Sequence, residues 1–117
     1  MNIIIKTKNI ELTKEVEAFV IDKVGKLERF LPEKDVEVFV ELEKETVRHR
    51  QGDVFLVEIV LELPGKKLIA RSTGSDWESI VIEAKDEMEV MVKKYKTKRI
   101  DEPRRKMKKA TREVEES

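Results

Sequence analysis

Two stretches of strict alternation do most to limit what this chain can fold into. Residues 35–45, DVEVFVELEKE, place Val36, Val38, Val40 and Leu42 on one side and Glu37, Phe39, Glu41 and Glu43 on the other, the period of a strand with one dry face and one wet face. Residues 54–63 repeat the pattern, with Phe55, Val57, Ile59, Leu61 and Leu63 opposite Leu56, Glu58, Val60 and Glu62. A sheet containing such strands is covered on one face only, so the glutamates turn to water and the rest of the chain must supply the cover.

Two amphipathic helices are available for that purpose. Thr13 is placed as an N-cap, with Glu15 and Glu17 in the first turn, and Val16, Val20, Val24, Leu27 and Leu31 follow at helical spacing until Pro32 ends the run. Gly25 inside it costs about 1 kcal/mol against Ala, which marks either close approach by a neighbouring backbone or a tolerated weak spot. The second helix is expected over residues 75–99, opened by a capping box of Ser75 and Glu78. Its apolar stripe runs through Trp77, Val81, Ala84, Met88, Val92 and Tyr95.

Short strands complete the order. Ile3, Ile4 and Ile5 lie in a β-branched run over residues 2–8, closed by Asn9; Pro64-Gly65 is a tight turn leading to a strand over 67–73. The expected class is therefore α+β with the order βαβββα. The first two strands, joined through a helix, should be parallel, the last three should form a meander, and both helices should pack on one face of a four-stranded sheet. Asp101-Glu102-Pro103 is expected to break the last helix, dividing the chain into a domain over 1–99 and a charged, mobile tail over 100–117.

Composition enters where function is at issue. At 117 residues the chain has the length of one domain, and 43% of it is charged, yet its formal net charge is zero. That sum hides segregation: residues 85–112 hold 12 basic and 5 acidic side chains, a net +7, while residues 1–84 hold 13 basic and 17 acidic. With a Debye length of about 8 Å in cells, a polyanion feels the local patch rather than the total. Lys93, Lys94, Lys96, Lys98 and Arg99 crowd the end of the second helix, and projection at about 100° per residue puts Lys23, Lys26 and Arg29 on one flank of the first.

An enzyme fares poorly as an alternative. The chain has no cysteine, and its one histidine, His49, sits between Arg48 and Arg50 in a polar connection without an acid at metal-ligand spacing. His49 is read as a surface residue, and the three together as a secondary basic loop or a solvated turn. The strand-face carboxylates are more simply a solvated surface than an acid–base pair. Trp77 is read as a core or helix-start anchor ahead of a base-stacking residue. No apolar run is long enough to span a bilayer and no signal-peptide core is present, so the expected location is cytoplasmic.

These residues support a resemblance. The chain is similar over residues 1–99 to the short ribosome hibernation factors, the family of the ribosome-associated inhibitor (protein Y) and hibernation promoting factor. The likeness rests on the Thr13-started helix ending in Lys23, Lys26, Leu27, Glu28, Arg29 and Phe30, a Lys-x-x-Lys-Leu-Glu-aromatic pattern; on the Ala70 strand followed by STGSDW; and on Lys93-Lys94-Tyr95-Lys96. It implies a fold like that of a double-stranded RNA-binding domain, and a non-enzymatic translation inhibitor of stressed or idle cells. The implied partner is the rRNA of the small ribosomal subunit at the mRNA/tRNA channel, contacted by Lys23, Lys26, Arg29, Lys93, Lys94, Lys96, Lys98 and Arg99. No cofactor, metal, membrane or small-molecule substrate is expected, and the protein should be monomeric off the ribosome. Lacking the additional domain of the long forms, the chain is expected to be a short form. Three positions depart from the family: Glu78 stands where an aromatic residue is usual, and Glu87 and Val90 replace basic residues. This thins the implied patch to the last turns and leaves Ile82 and Val90 facing outward. The competing function is a protein-binding adaptor of the same fold, working through its sheet edge or the Ile82/Val90 surface.

Overall fold

The computed structural model describes residues 1–31, 36–46 and 52–107, with side chains through residue 96, that of residue 46 excepted. Four strands form one sheet in the order β1 (Asn2–Lys8), β2 (Glu37–Thr46), β3 (Asp53–Leu63), β4 (Lys66–Gly74), with β1–β2 parallel and the other two pairs antiparallel. Two helices, α1 (Lys14–Val24) and α2 (Trp77–Met107), complete the α+β, βαβββα arrangement. Asn9 leaves β1 at φ 60, a conformation its short polar side chain tolerates. Gly65 turns β3 into β4 at φ 73, where any side chain would be strained.

The alternation is realised as read. Val38, Val40, Leu42, Val57, Ile59, Leu61, Leu68 and Ala70 are buried on the inner face, and they meet Val16, Val20, Val24 and Leu27 on one side and Ile80, Val81, Ala84, Met88, Val92 and Tyr95 on the other. The second helix lies against β3 and β4, the first against β1 and α2. Tyr95 donates from its hydroxyl to the Pro64 carbonyl at 3.3 Å, fastening α2 to the β3–β4 turn. Ser72, the one buried polar side chain among the described residues, donates to the Glu83 carboxylate on α2.

Direction follows from this connectivity. With β1, β2 and β4 running one way, α1 and α2 must each fold back the other way to cover the sheet, so the two helices run parallel to each other. Their C-terminal ends therefore come to the same end of the molecule.

Three local expectations are corrected. First, the α-helix stops at Val24, and Gly25–Phe30 tightens into a 3₁₀ segment. Thr13 caps α1 as expected, its hydroxyl accepting from the Val16 N–H at 3.2 Å. Second, α2 is capped by Asp76, not by Ser75. The Ile80 N–H bonds the Asp76 carbonyl, while the Asp76 carboxylate accepts from the Glu78 N–H at 3.4 Å and from the Ser79 hydroxyl at 2.6 Å. Asp also favours the positive end of the helix dipole, which Ser cannot. Third, α2 continues through Asp101-Glu102-Pro103 to Met107. A proline removes one backbone hydrogen bond and kinks a helix, and good helix formers on both sides carry it through. The remainder of the expected tail, 108–117, lies outside the described residues, as does the basic loop of Arg48, His49 and Arg50.

The glycines and the cap generate three expected outcomes. Gly25 has φ −60 and ψ −22, and a Cβ there meets nothing within 4 Å, so Gly25→Ala should stabilise the chain by about 0.4–1 kcal/mol in urea denaturation. A Cβ on Gly74 falls 2.9 Å from the methyl of buried Ile80, so Gly74→Ala should cost about 1–3 kcal/mol. Separately, Asp76→Ala should cost about 1 kcal/mol while Ser75→Ala leaves thermal stability near that of the parent chain.

Candidate nucleic-acid interface

The seam between the two helices is marked by three aromatic rings, Phe19, Trp77 and Phe30. Near the start of α2, Trp77 meets Phe19 of α1 edge to face, with centroids 5.1 Å apart and planes at 73°, and the Lys23 ammonium lies 5.4 Å from the Phe19 centroid. Trp77 is thus a helix-start anchor at the edge of the core. Further along, Phe30 receives two cations: the Arg29 guanidinium at 5.7 Å from its centroid and the Lys93 ammonium at 4.8 Å. Residue 19 faces 77 and residue 30 faces 93, as parallel helices require. The ring quadrupole attracts both charges, by about 0.5–1 kcal/mol each at exposed sites.

The 3₁₀ segment sharpens the basic flank. At 3.0 residues per turn, positions i and i+3 eclipse, so Lys26 and Arg29 stack on one face instead of spiralling away as an α-helix would carry them. On α2, Lys93 and Lys96 fall on the flank toward Phe30, one turn apart, while Lys94 projects from the opposite flank of the buried Val92–Tyr95 stripe. Of the eight residues read from the sequence as RNA-contacting, the structure brings Arg29 and Lys93 onto one ring, sets Lys26 one 3₁₀ turn before Arg29 and Lys96 one turn after Lys93 on their own segments, and places Lys23 against Phe19 higher on the seam. Lys94 points away from that group, and the side chains of Lys98 and Arg99 lie outside the described ones.

Carboxylates are arranged so that several of these cations stay available. Glu28, adjacent in sequence to Arg29 but on a different face of the 3₁₀ segment, is engaged by the N-terminal ammonium at 2.9 Å. Lys23 has Asp22 at 3.5 Å, and Lys93 has Glu89 at 3.1 Å. Lys26, Arg29, Lys94 and Lys96 are exposed, with no carboxylate within ion-pair distance among the described residues. Glu89 also holds Lys85 at 3.6 Å, and Lys85 holds Asp86 at 2.6 Å, forming a relay of charge along α2 up to the point where its basic end begins. The hydrogen bond with Asp86 lifts the Lys85 ammonium above its ordinary pKa of 10.5, against the lowering effect of partial burial, and Glu89 adds to the rise.

Sequence reading did not assign Phe19 and Phe30 to the site. The available signal was their spacing, Phe19 four residues before Lys23 and Phe30 beside Arg29. Among the described residues no three of His, Cys, Asp and Glu are placed to hold a metal ion, and no described helix is long and apolar enough to cross a membrane.

Comparison with known proteins places this geometry in context. A family model described as sigma 54 modulation protein / S30EA ribosomal protein matches residues 3–100. A ribosome hibernation promotion factor of Lactococcus lactis subsp. cremoris is 30% identical over 101 residues, covering 86% of this chain and 52% of that protein. The chain thus spans about half the length of that curated relative. Among solved structures, the N-terminal domain of Thermus thermophilus protein Y superimposes with a TM-score of 0.67 at 24% identity, over 81% of this chain and 99% of that one. A ribosomal subunit interface protein from Coxiella burnetii does so with a TM-score of 0.65 at 18% identity, over 83% and 99%. At these identities the two structures establish the fold.

The raised pKa of Lys85 sets a pH window. Its ion pairs contribute in full below about pH 10.5, the unfolded value, and that contribution is lost as pH rises through the higher folded value. Lys85→Met should therefore be less stable than the parent chain at neutral pH, with the difference in denaturation midpoint shrinking as pH is taken above that window.

Proposed function

The chain belongs to the sigma 54 modulation protein / S30EA ribosomal protein family, and from that premise we propose that it is a ribosome hibernation factor, a non-enzymatic protein that inhibits translation by binding small-subunit rRNA at the mRNA/tRNA channel. The observation that carries this reading is the meeting of Arg29 and Lys93 over Phe30. Cations from two different elements lie against one ring, so positive charge from both helical segments is gathered at the seam before any phosphate arrives. Lys23, Lys26 and Lys96 extend that surface, and Lys94 on the opposite flank of α2, together with Lys98 and Arg99, is assigned further phosphate contacts.

Each of these groups takes up a phosphate and releases condensed counterions, so affinity falls steeply with salt and reads little of the base sequence. An A-form helix suits such a surface, because its accessible groove displays backbone and 2′-hydroxyls rather than a distinctive base code. Residues 1–99 hold all the proposed contacts, and the protein acts as a monomer in the cytoplasm. A second reading, an adaptor that binds another protein and not the ribosome, draws on Ile82 and Val90, which are 37% and 52% exposed on α2.

Sedimentation with purified small subunits separates the two. Co-sedimentation should fade as salt is raised and be lost when Lys93, Lys94, Lys96 and Lys98 are all changed to Glu. Glu89→Gln, which frees Lys93 from its carboxylate at 3.1 Å, should strengthen binding about two- to fivefold at low salt. Chemical probing should show protection of rRNA lining the channel. Binding indifferent to salt and to these substitutions would favour the adaptor, and protection elsewhere on the subunit would overturn the channel as the site.

A further inference from the structure

The outer face of the sheet, which alternation alone assigns to water, carries a continuous apolar row. The register pairs Ile4 with Phe39, Phe39 with Val60, and Val60 with Ile69, one residue from each strand at the same level. The row crosses all four strands, about 14 Å at the usual inter-strand spacing. Ile69, at the edge, is 40% exposed, and the other three are half-buried. Shallow grooves of ≈170 Å³ and ≈200 Å³ open beside it, lined by Phe39, Val60, Glu41, Glu58 and Leu56 among others.

Acidic residues border the row on both sides. One level away in each direction, Glu37 stands directly opposite Glu62, and Glu41 directly opposite Glu58. Like charges in register destabilise a sheet, and relief within the chain is incomplete. Glu62 has Lys67 at 3.7 Å and Glu58 has Arg71 at 2.6 Å; on the other side of Phe39's strand, Lys6 stands opposite Glu41 in register without reaching ion-pair distance, and Glu37, opposite Asn2, has no ion-pair partner among the described residues. Phe39 packing on Val60 accounts for part of the apolar row as cross-strand stabilisation. It does not account for Ile69 at the rim, or for paired glutamates kept where they weaken the sheet.

We propose that this face is a docking surface for a polypeptide segment that presents apolar side chains between arginines or lysines. The apolar row would bury the segment's apolar side chains, Glu37 would receive a cation from it, and Glu41, which Lys6 opposes without an ion pair, would receive a second. Charge decides between occupants. A second copy placed face to face would set glutamates against glutamates, and RNA would bring phosphate to an acidic surface, whereas a cationic segment relieves the existing repulsion. The surface lies on the side of the sheet away from the helices, so it goes beyond the ribosome-binding reading and does not depend on it.

The test uses the full chain and a fluorescent peptide in which arginine alternates with leucine, followed by anisotropy. Saturable binding is expected, weakened about tenfold by the pair Glu37→Gln and Glu41→Gln and comparably by Ile69→Thr, and unchanged by Lys93→Glu with Lys94→Glu. The glutamine pair should at the same time raise the melting temperature, because it removes the in-register repulsion; loss of binding with gain of stability separates a docking role from a structural one. Equal binding of an oligoarginine of the same charge would overturn the proposal, as would absence of binding or indifference to the sheet substitutions. A dimer in sedimentation equilibrium that Ile69→Thr dissociates would also overturn it, assigning the face to a second copy.

Discussion

Everything in this molecule rests on an aliphatic layer trapped between one face of the sheet and two helices. Val38, Val40, Leu42, Val57, Ile59 and Leu61 from below meet Val20, Val24, Leu27, Val81, Met88 and Val92 from above, all but fully removed from water. Each such side chain contributes about 1.5–3 kcal/mol by leaving water, far more than any surface ion pair in the structure. Because that layer must be covered from one side only, the chain folds back after β1 and again after β4. Two returns in the same direction leave two helix ends side by side. The charge at those ends is therefore a consequence of how the core is closed.

The same layer divides the charge. A chain with a formal net charge of zero places exposed lysines and Arg29 along the helical seam and its end, and paired glutamates across the open sheet. The two faces are separated by the apolar interior, so each is felt by a partner largely on its own terms within a Debye length. Aromatic rings assist on the helical side: Arg29 and Lys93 both lie against Phe30, and Glu28 is taken up by the N-terminal ammonium. The helical side thus presents cations, while the open face of the sheet presents carboxylates.

Much of this was legible before any coordinates. Strand faces followed from alternation, since side chains on a strand have a period of two whatever lies beside them. The element order, the parallel β1–β2 pair, Thr13 as a cap and the buried stripe of α2 followed from local signals of the same kind. Where reading failed, two local signals competed: Ser75 and Asp76 are both good caps, and only the Ile80 N–H shows which carbonyl begins the helix. Gly25 likewise signals a change in the helix without saying that the change is to 3₁₀ pitch. At Pro103 a break was expected where the helix continues, because one lost hydrogen bond is weaker than the propensity of its neighbours.

The sequence by itself determined which side chains lie on the same face of each element, and hence the core, the order of elements and the concentration of basic residues near the end of α2. Those are properties of a single segment. Only the tertiary structure decided that Phe30 sits beneath Lys93, that Lys26 and Arg29 align, and that Ile4, Phe39, Val60 and Ile69 form one row between opposed glutamates. These are properties of pairs of segments far apart in the chain. Register between strands, and the height of one helix against another, are set by how the whole inner layer packs, and a slip of one residue would have turned the row inward.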